Sequence, residues 1–168
     1  MKHALKVSFM QEIDDYDRYD LRLLAALQGD GSLTNQQLAD KVHLSPSQCS
    51  RRRARLEADG TITGYRAELA AGRLGFAITA FINVTLATHG PDNSRRFTSM
   101  IAGLGAVQEA HALTGDMDYL LKVAVADLAG LAELINDHIL PHDTVDRVRS
   151  SIALETLKAD NRFPIVVV

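Results

Sequence analysis

Apolar residues along this chain recur with two different periods, and the change of period divides it into halves. Through residues 17–60 the spacing is three and four. Tyr19, Leu23, Leu24 and Leu27 share one face of a first helix, which Asp17 can cap and which Gly29 and Gly31 end. Thr34, with Gln37 three residues on, opens a second and shorter helix that carries Leu38 and Val42 one turn apart. His43 and Leu44 break it. Ser45 then caps a third helix, Pro46 fits its first position, and Gln48 completes another capping box. Leu44 and Cys49 stand where an apolar staple would join them. This helix runs to about Asp59 and stops at Gly60. Two capped helices across a tight turn predict a helix-turn-helix. After it, "TITGYRAEL" alternates enough for a wing or a linking strand.

From residue 76 the period becomes two. In "FAITAFINVTL" the even positions Phe76, Ile78, Ala80, Ile82, Val84 and Leu86 are apolar, while Thr79, Asn83 and Thr85 make the other face more polar. Residues 91–104 return to a helical pattern through Phe97, Ile101 and Leu104. "AVQEAHAL" and "YLLKVAVA" read as strands joined by the tight loop "TGDMD". Residues 127–140 read as a second helix using Leu128, Leu131, Leu134 and Ile135, and "VDRVRSSIAL" closes as a strand. The order β-α-β-β-α-β predicts a ferredoxin-like sheet with its helices on one face. The fold class is therefore α+β, with an N-terminal winged helix-turn-helix and a C-terminal ferredoxin-like βαββαβ domain.

Composition sharpens this picture at two points. A single cysteine, Cys49, excludes an intramolecular disulfide framework and makes a reducing cytoplasm the natural compartment. The longest apolar runs are too short to span a bilayer as a helix, so no membrane partner is expected. Charge is unevenly shared. The whole chain carries −3, yet residues 16–66 hold eight Lys/Arg against six Asp/Glu, whereas residues 67–168 hold eight against twelve. The basic excess concentrates on "SRRRAR", where Arg51, Arg52, Arg53 and Arg55 fall on the third helix.

In a helix-turn-helix the second paired helix enters the major groove, and its N-terminal residues meet base edges. Here Ser45, Ser47, Gln48, Ser50 and Arg51 occupy that end. Arg51 ranks above Gln48 as a base reader, since the capping box can occupy Gln48. Arg52 and Arg55 suit phosphate contact, which positions a protein without specifying sequence. A charged helix face is often merely solvated. Against that, Glu57 and Asp59 are the only acids nearby in this helix, so the arginines repel one another unless a polyanion is present.

Three stretches then resemble one family. "LSPSQCSRRRARLEADGTITGYRA" is similar to the recognition-helix segment of the Lrp/AsnC (feast/famine) bacterial transcription regulators. "LTGDMDYLLKV" resembles their effector-domain loop, and "DRYDLRLLAALQGDGSLTNQQLADKV" resembles their opening helices. The likeness covers about residues 16–163. It implies a sequence-specific, double-stranded-DNA-binding regulator, not an enzyme, needing no cofactor. It also implies a small-molecule effector, usually an amino acid, and assembly of the chain with itself as dimers and rings of dimers such as octamers. The implied organisation is a tail at 1–15, a helix-turn-helix domain at 16–62, a linker strand or hinge at 63–75, a ligand-sensing and oligomerisation domain at 76–155, and a tail at 156–168. By the same likeness Thr114, Gly115, Asp116 and Asp118 line the effector pocket, and Ser151 and Ile152 lie near positions that tune the response.

Departures from the family pattern carry information. Arg53 stands where a branched apolar residue is more usual, four after Cys49 and three before Leu56, on the inward side. A buried unpaired arginine is costly, so its stem should pack while its head reaches water or an acid. Ser151 replaces an aromatic found in one leucine-responsive pattern, so leucine is not to be assumed. "LPHDTVD" is longer than the usual connection before the last strand. On its own chemistry, "TGDMD" is either a hairpin turn only or a site whose amides and Thr114 receive a carboxylate while an Asp faces an ammonium group. His138 and His142 straddle a helix end with Pro141 between them, which is not a metal-binding spacing on one helical face. The rival from another class is a small-molecule-binding regulatory subunit of a metabolic enzyme, with the helical half as a protein-docking module. A third reading, RNA binding, would want more exposed aromatics than this chain has.

Overall fold

Three side-chain caps define the helices of the first unit in the computed structural model, which describes residues 16–165. Helix α1 (Arg18–Gly29) starts where Asp17 accepts the backbone N–H groups of Tyr19 and Asp20, and Asp20 accepts that of Asp17 in return. Helix α2 (Asn35–Val42) is capped reciprocally by Thr34 and Gln37 and ends at His43 in the left-handed region, φ 58°. Helix α3 (Pro46–Ala58) follows the same device through Ser45 and Gln48. Leu23, Leu27, Leu33, Leu38, Ala39, Val42 and Cys49 form one core, against which Leu44 and Ile62 pack. Burial pushes the Cys49 thiol up, so it behaves as a small apolar residue. Of the described residues, this unit comprises 16–68 together with 160–165.

The segment "TITGYRAEL" forms no strand. It leaves α3 as an irregular stretch, because an extended segment needs a ladder partner that the described residues do not supply there.

The second unit, Leu69–Ala159, is built on period two. A 3₁₀ turn (Ala71–Leu74) ends at Gly75, φ 85°, and leaves Phe76 46% exposed; the first strand begins two residues later than its apolar pattern suggests. The elements are β1 (Ile78–Leu86), α4 (Pro91–Ala102), β2 (Val107–Ala112), β3 (Tyr119–Val125), α5 (Leu128–Glu133) and β4 (Val145–Ile152). The sheet order is β2-β3-β1-β4 and every neighbouring pair is antiparallel, as a ferredoxin-like connection requires. Ala80, Ile82, Val84 and Leu86 of β1 join Leu121, Val123 and Val125 of β3 beneath Phe97 and Ile101 of α4 and Leu131, Leu134 and Ile139 beyond. Phe97 is fully buried and its ring lies 4.6 Å from that of Tyr119.

The helix expected over residues 127–140 is not uniform. After Glu133 the backbone widens into a π turn, Leu134–Ile139, with the Leu140 N–H bonded to the Ile135 carbonyl at 2.8 Å. The wider turn rotates Ile139 fully into the core, while Leu128, expected inside, is 61% exposed. The long connection before β4 is also organised. Thr144 is fully buried, its hydroxyl 2.7 Å from His142 Nδ1 and its carbonyl accepting from Ala87. Arg96 holds the adjacent Asp143.

The other face of the sheet is open. Phe81, half-exposed at 37%, lies between Ser151 of β4 and Lys122 of β3, and Asn83 lies opposite Arg149. Truncating Phe97 to Ala should lower the opening free energy of the β1 and β3 amides by about 3–5 kcal/mol, read by hydrogen exchange. Unchanged protection there would show that the ring does not anchor this core.

Candidate nucleic-acid interface and effector loop

The N-terminal turn of α3 sorts into occupied and available groups. Ser45 and Gln48 satisfy each other: the Gln48 N–H donates to Ser45 Oγ at 3.2 Å, and Gln48 Oε1 accepts the Ser45 N–H at 3.0 Å. Ser45 Oγ also lies 3.0 Å from Ser47 Oγ. Ser47, Ser50 and Arg51 are exposed. Among the described residues Arg51 has no ion-pair or hydrogen-bond partner, and it lines a notch of about 290 Å³ with Asp17, Arg52 and Arg55.

The arginines that follow do have acid partners, supplied by α1 rather than by their own helix. Arg52 donates from one nitrogen to Asp17 Oδ2 and Asp20 Oδ1, both at 2.8 Å. Arg55 donates to Asp20 Oδ2 at 2.6 Å. Asp20 is 1% exposed, so its charge is held in place by two guanidinium groups and a backbone N–H. Arg52, with only 21% of its side chain exposed, is committed to joining α1 and α3. Arg55 is half exposed and keeps nitrogens free of Asp20. The hydrogen bond to Asp20 raises the proton affinity of Arg52 further. For Asp17, burial works against ionisation. The Asp20 N–H, the Arg52 guanidinium and the Tyr19 N–H outweigh it and hold the carboxyl below its usual range.

Arg53 meets the expectation for an inward arginine in full. Its Nε reaches Glu57 at 3.0 Å, another nitrogen donates to the Leu33 carbonyl at 3.2 Å, and the guanidinium stacks 4.5 Å from the Tyr65 ring centre. Tyr65 closes the set by donating its hydroxyl to Glu57 at 2.9 Å.

Two further cations escaped the reading of the sequence. Arg18 and Arg22 on α1 approach the Tyr19 ring, at 4.8 and 6.0 Å, and Arg52 approaches it at 5.7 Å. Arg18 and Arg22 are one turn apart and flank Tyr19, which apolar spacing alone puts on the core face. Tyr19 is instead half-buried beneath guanidinium groups.

On the second unit, Thr114, Gly115 and Asp116 form an exposed bend, with Gly115 at φ 113°, where a side chain would be strained. Asp118 fastens this bend to β1. Its N–H donates to the Val84 carbonyl at 3.0 Å, and its Oδ2 accepts the Leu86 N–H at 2.7 Å. Its Oδ1 lies 3.3 Å from His89 Nδ1. Ser151 and Ile152 pair with Phe81 and Ala80, on the opposite side of β1 and three and four residues short of Val84. At a rise of roughly 3.3 Å per residue, on the order of 10–13 Å of strand separates them from the bend. One chain does not bring the two groups together.

Residues 16–63 match the winged helix-turn-helix DNA-binding family, and residues 79–163 match the Lrp/AsnC ligand binding domain family. The chain is 37% identical over 151 residues to the leucine-responsive regulatory protein of Klebsiella pneumoniae, covering 90% of this chain and 92% of that one. It belongs to the Lrp/AsnC family. Among solved structures, a transcriptional regulator of Neisseria meningitidis in complex with L-Met superposes with a TM-score of 0.85 at 33% identity, covering 89% of this chain and 96% of the other. An AsnC family transcriptional regulator from Agrobacterium tumefaciens gives 0.83 at 32% identity, covering 89% and 97%. The chain is thus a DNA-binding transcription regulator of Lrp/AsnC type, and the alternative of an enzyme's regulatory subunit is not favoured. Among the described residues no helix is long and apolar enough to cross a membrane, and no cluster of His, Cys, Asp or Glu could hold a metal ion.

Replacing Asp20 by Ala leaves Arg52 with Asp17 alone and takes from Arg55 its bond to Asp20, and should destabilise the first unit by about 1–3 kcal/mol. Joint replacement of Asp20 and Arg52 by Leu and Met should recover part of that loss. Urea unfolding of the single and double variants checks both statements. Because the folded-state pKa of Asp17 is depressed, its stabilising effect is present above the ordinary carboxylate value of about 3.9 and fades as pH falls through the folded value. The melting temperature of Asp17→Asn, which keeps a good cap, should therefore fall less steeply below about pH 4 than that of the parent.

Proposed function

We propose that this regulator reads double-stranded DNA through Ser47, Ser50 and Arg51, with Arg55, Arg18 and Arg22 on phosphates. Arg52 acts mainly by bracing α3, and Ser45 and Gln48 by capping it. The carrying observation is Arg51, exposed and without an ion-pair or hydrogen-bond partner among the described residues, at the N-terminal end of a helix braced by Asp20. A free guanidinium there suits guanine or a phosphate, and a fixed helix limits the entropy lost on binding.

The proposal extends to a small-molecule effector, an amino acid, held at the bend Thr114–Gly115–Asp116. Exposed amides and the Thr114 hydroxyl suit a carboxylate, and Asp116 suits an ammonium group. The likeness to a regulator solved with L-Met supports that class of ligand. Asp118, already bonded to Leu86 and His89, serves to place the bend. The chain acts by binding and not by catalysis, needs no cofactor, and works in the cytoplasm where its DNA lies. It associates with itself through the open sheet face around Phe81, Ser151 and Ile152, forming dimers and rings of dimers such as octamers. An effector acts by unequal affinity for these assemblies.

Arg51→Ala should weaken specific DNA binding by about 1–3 kcal/mol in fluorescence anisotropy with the chain's own upstream DNA. The parent's log–log salt slope should be near −0.9 per phosphate neutralised. A flat slope, or an unchanged footprint for the variant, would remove Arg51 from the interface. Each common amino acid is then titrated against the parent and Asp116→Asn; a melting shift equal in both would place the effector elsewhere.

A further inference from the structure

The C-terminal segment does not end in the second unit. The chain leaves the first unit after Glu68 and rejoins it at Asp160, so residues 69–159 form an insertion closed at both ends. The Gln28 side chain holds the returning segment on α1. Gln28 Oε1 accepts the Phe163 N–H at 2.7 Å, and Gln28 Nε2 donates to the Phe163 carbonyl at 3.2 Å. One amide thus satisfies both main-chain groups of one residue, as a neighbouring strand would. Such a bracket recognises backbone, and Phe163, which lines the adjoining groove, stays 79% exposed.

The residues around Phe163 prepare it for this contact. Pro164 removes a donor and disfavours helical geometry at Phe163. Arg162 is fixed by Asp160, at 2.9 Å from Nε and 3.1 Å from a terminal nitrogen. Beyond the bracket, Ile165 is half-buried and shares a groove of about 270 Å³ with Leu24, Leu27, Ile62 and Tyr65. That groove lies between the last turns of α1 and the segment that follows α3, and Tyr65 at its rim also carries the Arg53 and Glu57 contacts.

We propose that Asp160–Ile165 is a docking strap for the DNA-binding unit, that Gln28 is its latch, and that strap engagement sets the DNA affinity of the unit. The chain's own C-terminal segment, through Phe163 and Ile165, forms one wall of the groove. The strap bears on both ends of the recognition apparatus. Gln28 sits on the last turns of the same helix whose first turn presents Asp20 to Arg52 and Arg55, and Tyr65 lies across the groove against Arg53. Undocking would loosen α1 and the post-α3 segment together. The strap also follows β4 directly, through residues 153–159, and is therefore the second covalent route from the effector-binding unit to the DNA-binding unit. The docking half stands on geometry alone; the affinity half rests on the DNA-binding reading above.

The test uses the full chain, a chain ending at Ala159, and Gln28→Ala, Phe163→Ala and Phe163→Pro variants. A fluorescein-labelled peptide of residues 157–168 should bind the shortened chain saturably, and bind tenfold or more weakly when Gln28→Ala is added. Failure to bind, or binding indifferent to Gln28, overturns the latch. In the full chain, Phe163→Ala should keep the hydrogen-exchange protection of residues 61–65, whereas Phe163→Pro, lacking the N–H, should lose it. Equal protection in both overturns backbone recognition. For DNA, shortening and Gln28→Ala should each change Kd at fixed salt by about three- to tenfold, and their combination should change it no further than shortening alone. An unchanged Kd overturns the control of affinity while leaving docking in place. A parent that binds no DNA at any salt, yet whose shortened form still captures the peptide, refutes the proposed function and the control of affinity but not the strap.

Discussion

A carboxylate shut away from water at Asp20 is the constraint around which the DNA-binding unit is arranged. An isolated buried carboxylate is costly, and two guanidinium groups from α3 together with the Asp17 N–H offset that cost. Arg52 and Arg55 can reach it only if α3 crosses α1 in one orientation and one register. The pair of helices is therefore specified by charge as well as by the apolar contact of Leu23 with its neighbours. The arrangement carries its own inefficiency, for the Arg52 Nε is buried without a hydrogen-bond partner among the described residues. A group spent on orientation is not at the same time spent on nucleic acid.

That division explains why so many arginines stand together in an otherwise acidic chain. Arg52 braces, Arg53 ties α3 to the Leu33 carbonyl and to Tyr65, Arg55 does part of each task, and Arg51 stays available. Counting charges along the segment suggests four phosphate-seeking groups. Counting partners among the described residues leaves one fully free cation and one half-committed cation on α3, with Arg18 and Arg22 nearby on α1. Base recognition differs from a diffuse polyelectrolyte attraction in resting on a small number of well-placed groups.

What was legible in the sequence follows the range of the physics involved. Caps are local, so Asp17, Thr34 and Ser45 marked helix starts correctly to the residue, and Gln48 was rightly suspected of being occupied. Alternation in β1 and the β-α-β-β-α-β order follow from backbone geometry and identified the sheet. Failures lie where a distant partner or a change of helical pitch decides. Asp20 lies thirty-two residues from Arg52, so no window on α3 could reveal it. Ile139 is carried into the core by a π turn that apolar spacing does not announce, and Leu128, at the first position of α5, stays outside it. The strand expected after α3 lacked a partner, and the C-terminal segment acquired one in Gln28. Neither fact is visible without the tertiary structure.

The effector region shows the same logic acting on the sheet. Asp118 spends its carboxylate on the Leu86 N–H and on His89, so the bend it anchors is attached rigidly to the end of the central strand β1. β1 is paired on both sides, to β3 and β4, and such a strand does not shorten to bring its ends together. Thr114–Asp116 and Ser151–Ile152 consequently stay apart within one chain. If both groups touch the same ligand, a second copy must complete the site. The open face carrying Phe81, Asn83 and Arg149 is the part of the sheet that such a copy could cover. Ligand binding and self-association would then share one surface, and a small molecule could alter the assembly without changing the fold of any single chain.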